Sequence, residues 1–571
     1  MNLKTKSRHN ELCVFTFTFY ELALSVMNPK KVQYATRESF LTPDGKTMSS
    51  GKRTLYGTIS RLLGVQRTPM AQGQQLNTSK KDGANLVSPD ATSTSYQGQL
   101  KNVPGPWPSL PFIGTGWQYF PGSRYCVTKV HEAAEDKYKR YGPIVKEEFE
   151  WGKPTIHLFN PEDFETVFRH QGRYPFRPII EFLAHYRKKH PEKYESAGLA
   201  NTLGEQWERL RKVISPILLK PNSLDFLMGS MNEVADDFVK LLRITRHPSS
   251  FLIEDTQSMA YRLALEGVYM MSLDDRLGCL NTKLHKDSPA SDMILSVKLL
   301  FESFQELFFA PPIWKMFETD AYKKLHKAES LMYSATSKRI QEAVEKLRNS
   351  STDTNQKGVL HTLLQQKELN DKELILTVID LIAGGIFTVA NSLSFLIYHI
   401  SRNPDVQEKL YKEMKQNMPN GEITTAGLSN MKYLVACVKE SFRLTPTIPC
   451  INRILPDDVI LSGYHIPAGT NIFCHFPVPC KQADKFPDPD RFLPDRWLDK
   501  SSFAHNPFTL VPFGFGQRMC VGKKFADMEM YVALAKLVYN FKVDPAGQEV
   551  KTKSAFILVP SNPVSVILKD R

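Results

Sequence analysis

A single cysteine near the end of the chain lies in a loop whose composition suits a metal-bound thiolate. Cys520 belongs to the run at residues 513–522, which is Phe-Gly-Phe-Gly-Gln-Arg-Met-Cys-Val-Gly. A cysteine that ligates iron must be held as the thiolate, so its sulfur needs backbone N–H donors and water-poor surroundings. Phe513 can cover the sulfur. The loop therefore predicts a haem-thiolate site with Cys520 as axial ligand, whereas the ordinary alternative is a buried structural cysteine on a glycine-rich turn.

The other residues of this loop suit cofactor binding by their types. Gly514 and Gly516 let the backbone make turns closed to other residues, and Gly522 lets the next helix approach a porphyrin face without a Cβ. Arg518 carries a planar guanidinium that can pair with a haem propionate. We expect these four residues to bind the cofactor together with Phe513 and Cys520.

A long apolar segment at residues 371–400 is predicted to be a helix with small residues at its middle. Ala383 and Gly384 begin the run Ala-Gly-Gly, which Ile, Phe387 and Thr388 follow. Small residues allow a helix to pass close over a haem and to open a groove for O2 and water. We expect Ala383 and Gly384 to line the substrate side of the site.

The elements that position these residues are mostly helical. Short β-branched runs near residues 144–159 and 458–475 favour strands. Apolar residues recur at helical spacing at 128–141, 205–219, 226–244, 322–348, 371–400, 404–417, 430–444 and 522–540. The pattern predicts a mainly α fold with minor β content.

Length and cysteine usage favour a large catalytic body in a reducing compartment. The chain has 571 residues, 42% of them apolar, and its eight cysteines show neither a paired framework nor a CxxC motif. Cys474 and Cys480 flank His475, but their spacing fits no common zinc pattern. We therefore expect these residues to be packing residues.

The net charge of +13 is concentrated near the N-terminus. Residues 1–85 carry thirteen Lys or Arg against five Asp or Glu, a composition typical of a mitochondrial transit segment. Met48 is an alternative initiator. The rival interpretation takes the apolar run Leu12–Met27 as an anchor in the endoplasmic reticulum membrane. That run is short for a spanning helix and contains Glu21.

A domain boundary is predicted between residues 102 and 103. Residues 68–102 are rich in Gln, Ser, Thr, Asn and Gly, which is a linker composition. A stiff, proline-rich lead-in follows at residues 103–111. We therefore assign residues 1–102 to a transit-like leader with a polar linker, and residues 103–571 to one catalytic domain.

Over residues 103–571 these motifs resemble those of the cytochrome P450 family. Every fixed position of the family's haem-binding signature is occupied in the loop around Cys520. The resemblance implies a single triangular, helix-rich domain that binds haem b (iron protoporphyrin IX) and acts as a monooxygenase. It also implies that Thr388 is the threonine that supports proton delivery to dioxygen, so Thr388 and Cys520 are the expected catalytic residues.

Three charged residues resemble the family's structural triad. Glu440 and Arg443 are three residues apart on one predicted helix and therefore share a face. Arg496 follows in the run Phe-Leu-Pro-Asp-Arg-Trp and can close a buried cluster with them. The ordinary alternative is an exposed salt bridge between Glu440 and Arg443.

Further cofactor contacts are implied by the resemblance. Trp207 and Arg211 lie one turn apart and match the helix with which family members grip a haem propionate. Arg453 occupies the place of another propionate ligand.

Within the family, the chain resembles the mitochondrial group, which receives electrons from NADPH through ferredoxin reductase and an adrenodoxin-type ferredoxin. Lys439, Lys523 and Lys524 are placed to meet an acidic ferredoxin. One match is missing, because Val435 stands where the group often has a second lysine. The resemblance implies a location at the matrix side of the inner membrane.

Several segments resemble arthropod members of this group that hydroxylate a moulting steroid: residues 174–178, 385–393, 443–450 and 461–464. They imply C20 hydroxylation of ecdysone. The residues expected to contact the substrate are Ile180, Phe182, Ala383, Gly384, Thr447, Ile448, Leu558 and Val559.

The aromatic stretch Phe301 to Phe317 has two interpretations. Phe308, Phe309, Ile313 and Trp314 either belong to the core or form a surface that dips into a membrane, and we favour a peripheral membrane contact. No nucleic-acid partner is expected.

One position departs from the family pattern. Phe387 precedes Thr388 where an Asp or Glu is usual, and a phenyl ring can carry no proton. Two other functions therefore stay open. One is a redox-independent haem-thiolate isomerase or dehydratase, and the other is a non-catalytic haem or lipid carrier.

Overall fold

The structure is a computed structural model. It describes residues 100–571 except 151, 283, 286–287, 311, 350–357 and 499–505. The predicted transit segment, the alternative initiator and the apolar run therefore lie outside the described residues. Every described helix and strand belongs to one compact unit, which ends at Arg571.

Helices dominate the described chain, with 54% of residues helical and 11% in strands, so the prediction of a mainly α fold is confirmed. The α-helices are α1 (Val130–Tyr141), α2 (Pro161–Arg169), α3 (Glu181–Lys188), α4 (Gly204–Leu219), α5 (Met228–Thr245), α6 (Thr256–Leu273), α7 (Pro289–Phe309), α8 (Asp320–Asn349), α9 (Val359–Leu364), α10 (Asp371–Arg402), α11 (Pro404–Asn417), α12 (Thr425–Asn430), α13 (Lys432–Leu444) and α14 (Lys523–Asn540). Each of the eight predicted segments contains a helix. Six further helices, α2, α3, α6, α7, α9 and α12, were not predicted.

The strands form small sheets. They are β1 (Ile144–Glu150), β2 (Lys153–Leu158), β3 (Leu252–Ile253), β4 (Ile451–Ile454), β5 (Val459–Leu461), β6 (Tyr464–Ile466), β7 (Asn471–Cys474), β8 (Phe541–Ala546), β9 (Thr552–Ala555), β10 (Ile557–Pro560) and β11 (Ser565–Asp570). The largest sheet has the order β1-β2-β7-β4, in which β2 and β7 are parallel and the other pairs antiparallel. The smaller sheets are β3-β11-β8, in which β11 is the middle strand, and the pairs β9-β10 and β5-β6. Both strand regions predicted from the sequence are present.

Helix α10 is the central element of the larger hydrophobic core. It begins with a capping box, in which the Asn370 side chain accepts from the Glu373 N–H and the Glu373 carboxylate accepts from the Asn370 N–H. Within the described part of the chain it is the one helix long and apolar enough to cross a bilayer, but most of its apolar window is buried inside the protein. Its sequence therefore reflects burial between other helices.

A glycine sets how closely α10 approaches α6. A Cβ added to Gly385 would lie 2.8 Å from Cγ2 of Val268 on α6, a distance that real Cβ atoms do not tolerate. A Cβ added to Gly384 would meet no atom within 4 Å. The two neighbouring glycines thus differ: Gly385 serves helix packing, and Gly384 leaves open space beside α10.

A second hydrophobic core lies under the four-stranded sheet. It includes Cys474 and Cys480, both fully buried. His475, between them, is also buried, and its Nε2 lies 2.8 Å from Nδ1 of His157 on β2.

Candidate active site

The loop before α14 is folded back on itself around Cys520. The Cys520 N–H donates to the Phe513 carbonyl over 2.8 Å. Gly514 and Gly516 have φ of 74° and 75°, in the left-handed region that favours glycine. A side chain at position 516 would also collide with Gln171, whose Nε2 would lie 2.2 Å from the added Cβ. Both glycines are therefore required by the turn itself.

Burial acts on the Cys520 thiol although the residue keeps accessible surface. Cys520 is exposed by surface area, yet desolvation by the surrounding protein raises the pKa of its thiol. The Gly522 N–H and the positive charge of Arg211 oppose that rise. Among the described residues, a Cβ added at Gly522 would lie 3.9 Å from the Cys520 sulfur, which is an ordinary van der Waals contact.

Four arginines converge beside this loop. Arg177, Arg211, Arg453 and Arg518 are all poorly solvated, and mutual repulsion adds to desolvation in lowering the pKa of Arg453 to about 10 and of Arg518 to about 9. Their side-chain hydrogen bonds within the described residues go to backbone carbonyls and to Gln171. Concentrated positive charge of this kind requires an anion.

The two propionates of haem have the charge and shape that this cluster lacks, and Cys520 supplies the sulfur donor for its iron. The residues present therefore fit haem. Arg177 was not predicted as a site residue. It lies within residues 174–178, which resemble the corresponding segment of the arthropod steroid hydroxylases of this family.

Trp207 contacts the cluster through Arg518. The Arg518 guanidinium lies 4.1 Å from the centre of the buried Trp207 ring, and its nitrogens donate to the Pro175 and Thr202 carbonyls. Arg211, one turn along α4, donates to the Met519 carbonyl over 2.8 Å. Helix α4 therefore holds the cysteine loop from one side.

The structure brings Glu440, Arg443 and Arg496 together. Glu440 and Arg443 form two hydrogen bonds of 2.8 and 2.9 Å, both side chains being fully buried. Arg496 Nε lies 3.2 Å from the same carboxylate. Trp497 Nε1 and the Leu493 N–H also donate to Glu440, each over 2.9 Å. The cluster joins α13 to the chain at residues 491–497.

Thr388 and Phe387 lie on α10, which packs against α14. The Thr388 hydroxyl donates to the Gly384 carbonyl over 2.6 Å, and its oxygen keeps lone pairs that can accept further hydrogen bonds. The Phe387 ring stacks on Phe301 of α7 with centroids 4.0 Å apart and planes 12° apart. Position 387 is therefore used for packing between α10 and α7.

Several of the residues expected to contact the substrate pack against or hydrogen-bond with other residues of the protein. Phe182 packs edge-on against Phe304. The Thr447 hydroxyl is within 2.9 Å of the Ser392 hydroxyl, and the Thr447 carbonyl accepts from the Leu558 N–H. Phe182, Thr447, Leu558 and Val559 are buried, whereas Ile180, Ala383, Gly384 and Ile448 are more exposed.

The three lysines predicted to meet a redox partner differ in their contacts. Lys439 is exposed and its Nζ lies 5.9 Å from the centre of the Trp497 ring. Lys523 pairs with Asp527 one turn along α14, at 2.5 Å. Lys524 donates to the Lys220 carbonyl just past the end of α4.

The aromatic stretch at the end of α7 and just after it contains both buried and exposed residues. Trp314 is buried and stacks on Tyr322, so its assignment to a membrane-facing surface is wrong. Phe308 and Phe317 are 55% and 69% exposed, and Phe309 and Ile313 are each 38% exposed.

Comparison with known proteins extends these observations. A family model described as cytochrome P450 matches residues 104–568. Ecdysone 20-monooxygenase of Drosophila melanogaster is 33% identical over 499 residues, covering 86% of this chain and 92% of that protein. Cytochrome P450 302a1, mitochondrial, of the same fly is 31% identical over 497 residues, covering 85% and 98%. Sterol 26-hydroxylase, mitochondrial, of Rattus norvegicus is 31% identical over 491 residues, covering 83% and 89%.

Proposed function

Because the chain belongs to the cytochrome P450 monooxygenases, as its motifs predicted, we propose that it hydroxylates a steroid, ecdysone at C20, with electrons from a ferredoxin. One atom of O2 would enter a C–H bond of the steroid and the other would leave as water, with NADPH supplying two electrons. The observation that carries the proposal is the similarity to ecdysone 20-monooxygenase along nearly the whole catalytic domain.

The residues of the site would have different roles in that reaction. Cys520 would hold the haem iron, while Arg177, Arg211, Arg453 and Arg518 would hold the propionates. When bound, haem supplies oxygen activation, and the protein supplies position, exclusion of water and protons. Glu440, Arg443 and Arg496 stabilise the chain that leads into the cysteine loop.

The substrate wall is aromatic and aliphatic. Phe556, between β9 and β10, packs edge-on against Phe304 and Phe308 of α7, at 5.2 and 5.9 Å. Phe182 of α3 contacts the same helix. A rigid, largely apolar steroid suits a wall of this chemistry. Ile180, Ala383, Gly384 and Ile448, which keep exposed surface, are the direct contacts we propose, with Phe182, Thr447, Leu558 and Val559 behind them.

An adrenodoxin-type ferredoxin is the proposed electron donor, with NADPH and ferredoxin reductase as its source. Two relatives with this overall similarity carry the word mitochondrial in their names. Lys439 lies on α13 beside the triad glutamate, and Lys523 and Lys524 begin α14 after the cysteine loop. Their positive charge would steer an acidic partner.

A mitochondrial location and a peripheral membrane contact complete the proposal. We assign residues 1–102 to a mitochondrial leader and linker, and place the enzyme on the matrix side of the inner membrane. The contact surface would consist of Phe308, Phe309, Ile313 and Phe317, four apolar residues within ten positions of the sequence whose side chains are exposed.

The membrane contact can be measured by flotation with vesicles of phosphatidylcholine and cardiolipin. Phe308→Ser with Phe317→Ser should reduce the bound fraction, because each removes an exposed apolar side chain. Ile460→Ser, which changes a residue that is 60% exposed on β5, is the matched control and should leave binding unchanged. Equal binding of the double variant and the wild type would exclude this surface.

One assay tests the catalytic proposal against its alternatives. Purified enzyme is mixed with ferredoxin, ferredoxin reductase, NADPH and ecdysone, and products are followed by mass spectrometry. A product heavier by one oxygen, formed only with the complete electron chain, supports the proposal. Turnover of a peroxide substrate without reductant would show an isomerase or dehydratase, and steroid binding without any product would show a carrier.

A further inference from the structure

An acidic residue lies on α10 two turns before Thr388. Asp380, Gly384 and Thr388 are spaced by four residues, so they follow one another along the same side of the helix. Eight residues correspond to a rise of about 12 Å. Gly384, between the two polar residues, has no side chain, and an added Cβ there would meet no described atom within 4 Å. The described residues therefore leave space beside α10 midway between Asp380 and Thr388.

Asp380 is held by a shared arginine. Arg187 of α3 donates to Asp380 Oδ1 over 2.8 Å and to both oxygens of Glu329 on α8 over 3.2 and 3.3 Å. The Arg187 and Glu329 side chains are 2% and 1% exposed. An added Cβ at Gly198 would lie 2.3 Å from Asp380 Oδ2, so this glycine lets the backbone close over the carboxyl.

The hydrogen-bonded charges of this cluster do not balance. Two carboxylates share the Arg187 guanidinium, and a buried site tolerates the unmatched negative charge poorly, with Arg177 compensating only at longer range. Burial and the neighbouring Glu329 raise the pKa of Asp380, while Arg187 and the Leu199 N–H oppose that rise. The other ionisable groups nearby come from the connections on either side of α3: Arg177, which feels the Asp380 charge, and Tyr194, whose ring lies 5.6 Å from the Arg187 guanidinium. The cluster can thus store one proton.

We propose that Asp380 stores the proton that Thr388 delivers during oxygen activation, in place of the acid that Phe387 cannot supply. The inference rests on the monooxygenase activity and does not depend on which steroid is the substrate. Asp380 acts through Thr388 and is therefore a positioning residue, not a group that touches the substrate.

The proton balance is simple. Asp380 gives its carboxyl proton to a chain of about three water molecules at hydrogen-bond spacing along Gly384. That chain protonates the Thr388 oxygen once the hydroxyl has rotated away from the Gly384 carbonyl, and the original hydroxyl proton then passes to the site. Asp380 remains as a carboxylate paired with Arg187 and regains a proton from solvent. No electron is moved by these residues.

The stored proton can be observed without turnover. A protonated carboxyl has an infrared carbonyl stretch that is distinct from the carboxylate bands and shifts in heavy water. We expect this band in the resting holoenzyme at neutral pH and its loss in Asp380→Asn. Glu329→Gln should also remove it, because one arginine would then face one carboxylate and Asp380 would ionise. Glu529 is fully buried and its oxygens have no hydrogen-bond partner among the described residues, so its band should persist in every variant and serve as an internal reference.

Turnover supplies the second readout, the ratio of product to NADPH consumed with hydrogen peroxide counted separately. Proton-relay groups typically contribute about 100- to 10,000-fold, and for a donor two turns away we expect Asp380→Asn to lower the ratio by at least about tenfold. In the wild type the ratio should fall as pH rises through the pKa of Asp380. In Asp380→Asn it should be low at every pH, and Asp380→Glu should restore part of it.

Asp371→Asn is the matched control, because it changes the same residue type at the exposed first turn of the same helix and should alter neither readout. An unchanged infrared spectrum or an unchanged product ratio in folded Asp380→Asn would overturn the inference. If that variant does not fold, retention of the band in Glu329→Gln would do so. Failure to oxidise ecdysone would refute the proposed substrate but leave the infrared result standing.

Discussion

Arg443 offers a graded test of how the buried triad stabilises the protein. Its guanidinium makes five hydrogen bonds: two to Glu440 and one each to the carbonyls of Cys480, Pro489 and Arg491. The side chain is fully buried. Arg443 therefore joins α13 to two separate points of the chain between β7 and the cysteine loop.

Arg443→Lys keeps the charge but not the number of donors. An ammonium group has three N–H donors, so at least two of the five hydrogen bonds are lost. The Glu440 oxygens keep other donors, so the loss matters most at the carbonyls of Cys480, Pro489 and Arg491. Two of these buried acceptors left without a partner cost about 1–3 kcal/mol each, which gives a loss of about 2–6 kcal/mol in the free energy of unfolding. Arg496→Lys should cost less, because that side chain makes three hydrogen bonds, two of them at the exposed surface.

Arg491→Lys is the control in the same segment. Its side chain is 69% exposed and lies 3.7 Å from Asp488, so the change should stay within about 0.5 kcal/mol. The assay is urea unfolding of the holoenzyme, followed by tryptophan fluorescence and by loss of the haem absorption. We expect Arg443→Lys to destabilise most, then Arg496→Lys, then Arg491→Lys. The reasoning is refuted if Arg443→Lys unfolds at the same urea concentration as Arg491→Lys.

Three further changes test the site. Cys520→His should abolish the red-shifted Soret band of the reduced carbon monoxide complex, because thiolate ligation produces it, and persistence of the band would disprove the ligand. Reversing Lys439, Lys523 and Lys524 to Glu should raise the ferredoxin concentration needed for half-maximal turnover and flatten its salt dependence, with an unchanged carbon monoxide spectrum; an unaltered requirement would place docking elsewhere. Thr388→Ala should lower product per NADPH by roughly tenfold or more and release hydrogen peroxide, whereas an equal ratio with reductant-independent turnover would favour the isomerase.

Sequence patterns were sufficient to predict the structure where its geometry depends on residues that are close together in the sequence. The turn around Cys520 follows from Gly514 and Gly516, whose positive φ values are a property of residue type. Glu440 and Arg443 share a face because they are three residues apart on a helix. Seven of the eight predicted helices have an apolar stripe, which exists because one side of the helix is buried and the other is solvated. The eighth, α14, has eleven of eighteen residues buried and no such stripe.

Sequence patterns did not predict helices that are almost completely buried or very short. They also did not predict site residues whose partners are distant in the sequence. In α6, thirteen of eighteen residues are buried, so its apolar residues cover most of the circumference and leave no clear stripe. α3 has eight residues, too few for a period to stand out. Arg177 and Asp380 were missed because each acquires its partners from elements far along the chain, and an isolated Arg or Asp has no local signature.

The residue before Thr388 illustrates how packing and proton chemistry exclude each other at one position. Phe387 stacks on Phe301 at 4.0 Å and lies 5.7 Å from the ring of Tyr261, so it fills the contact of α10 with α7 and α6. A carboxylate at this place would face aromatic surface and lose its hydration, which costs several kcal/mol unless it is paired or protonated. An acid is therefore incompatible with this packing. Eight residues before Thr388 the same helix meets Arg187, and there a carboxyl group has the partner that burial demands.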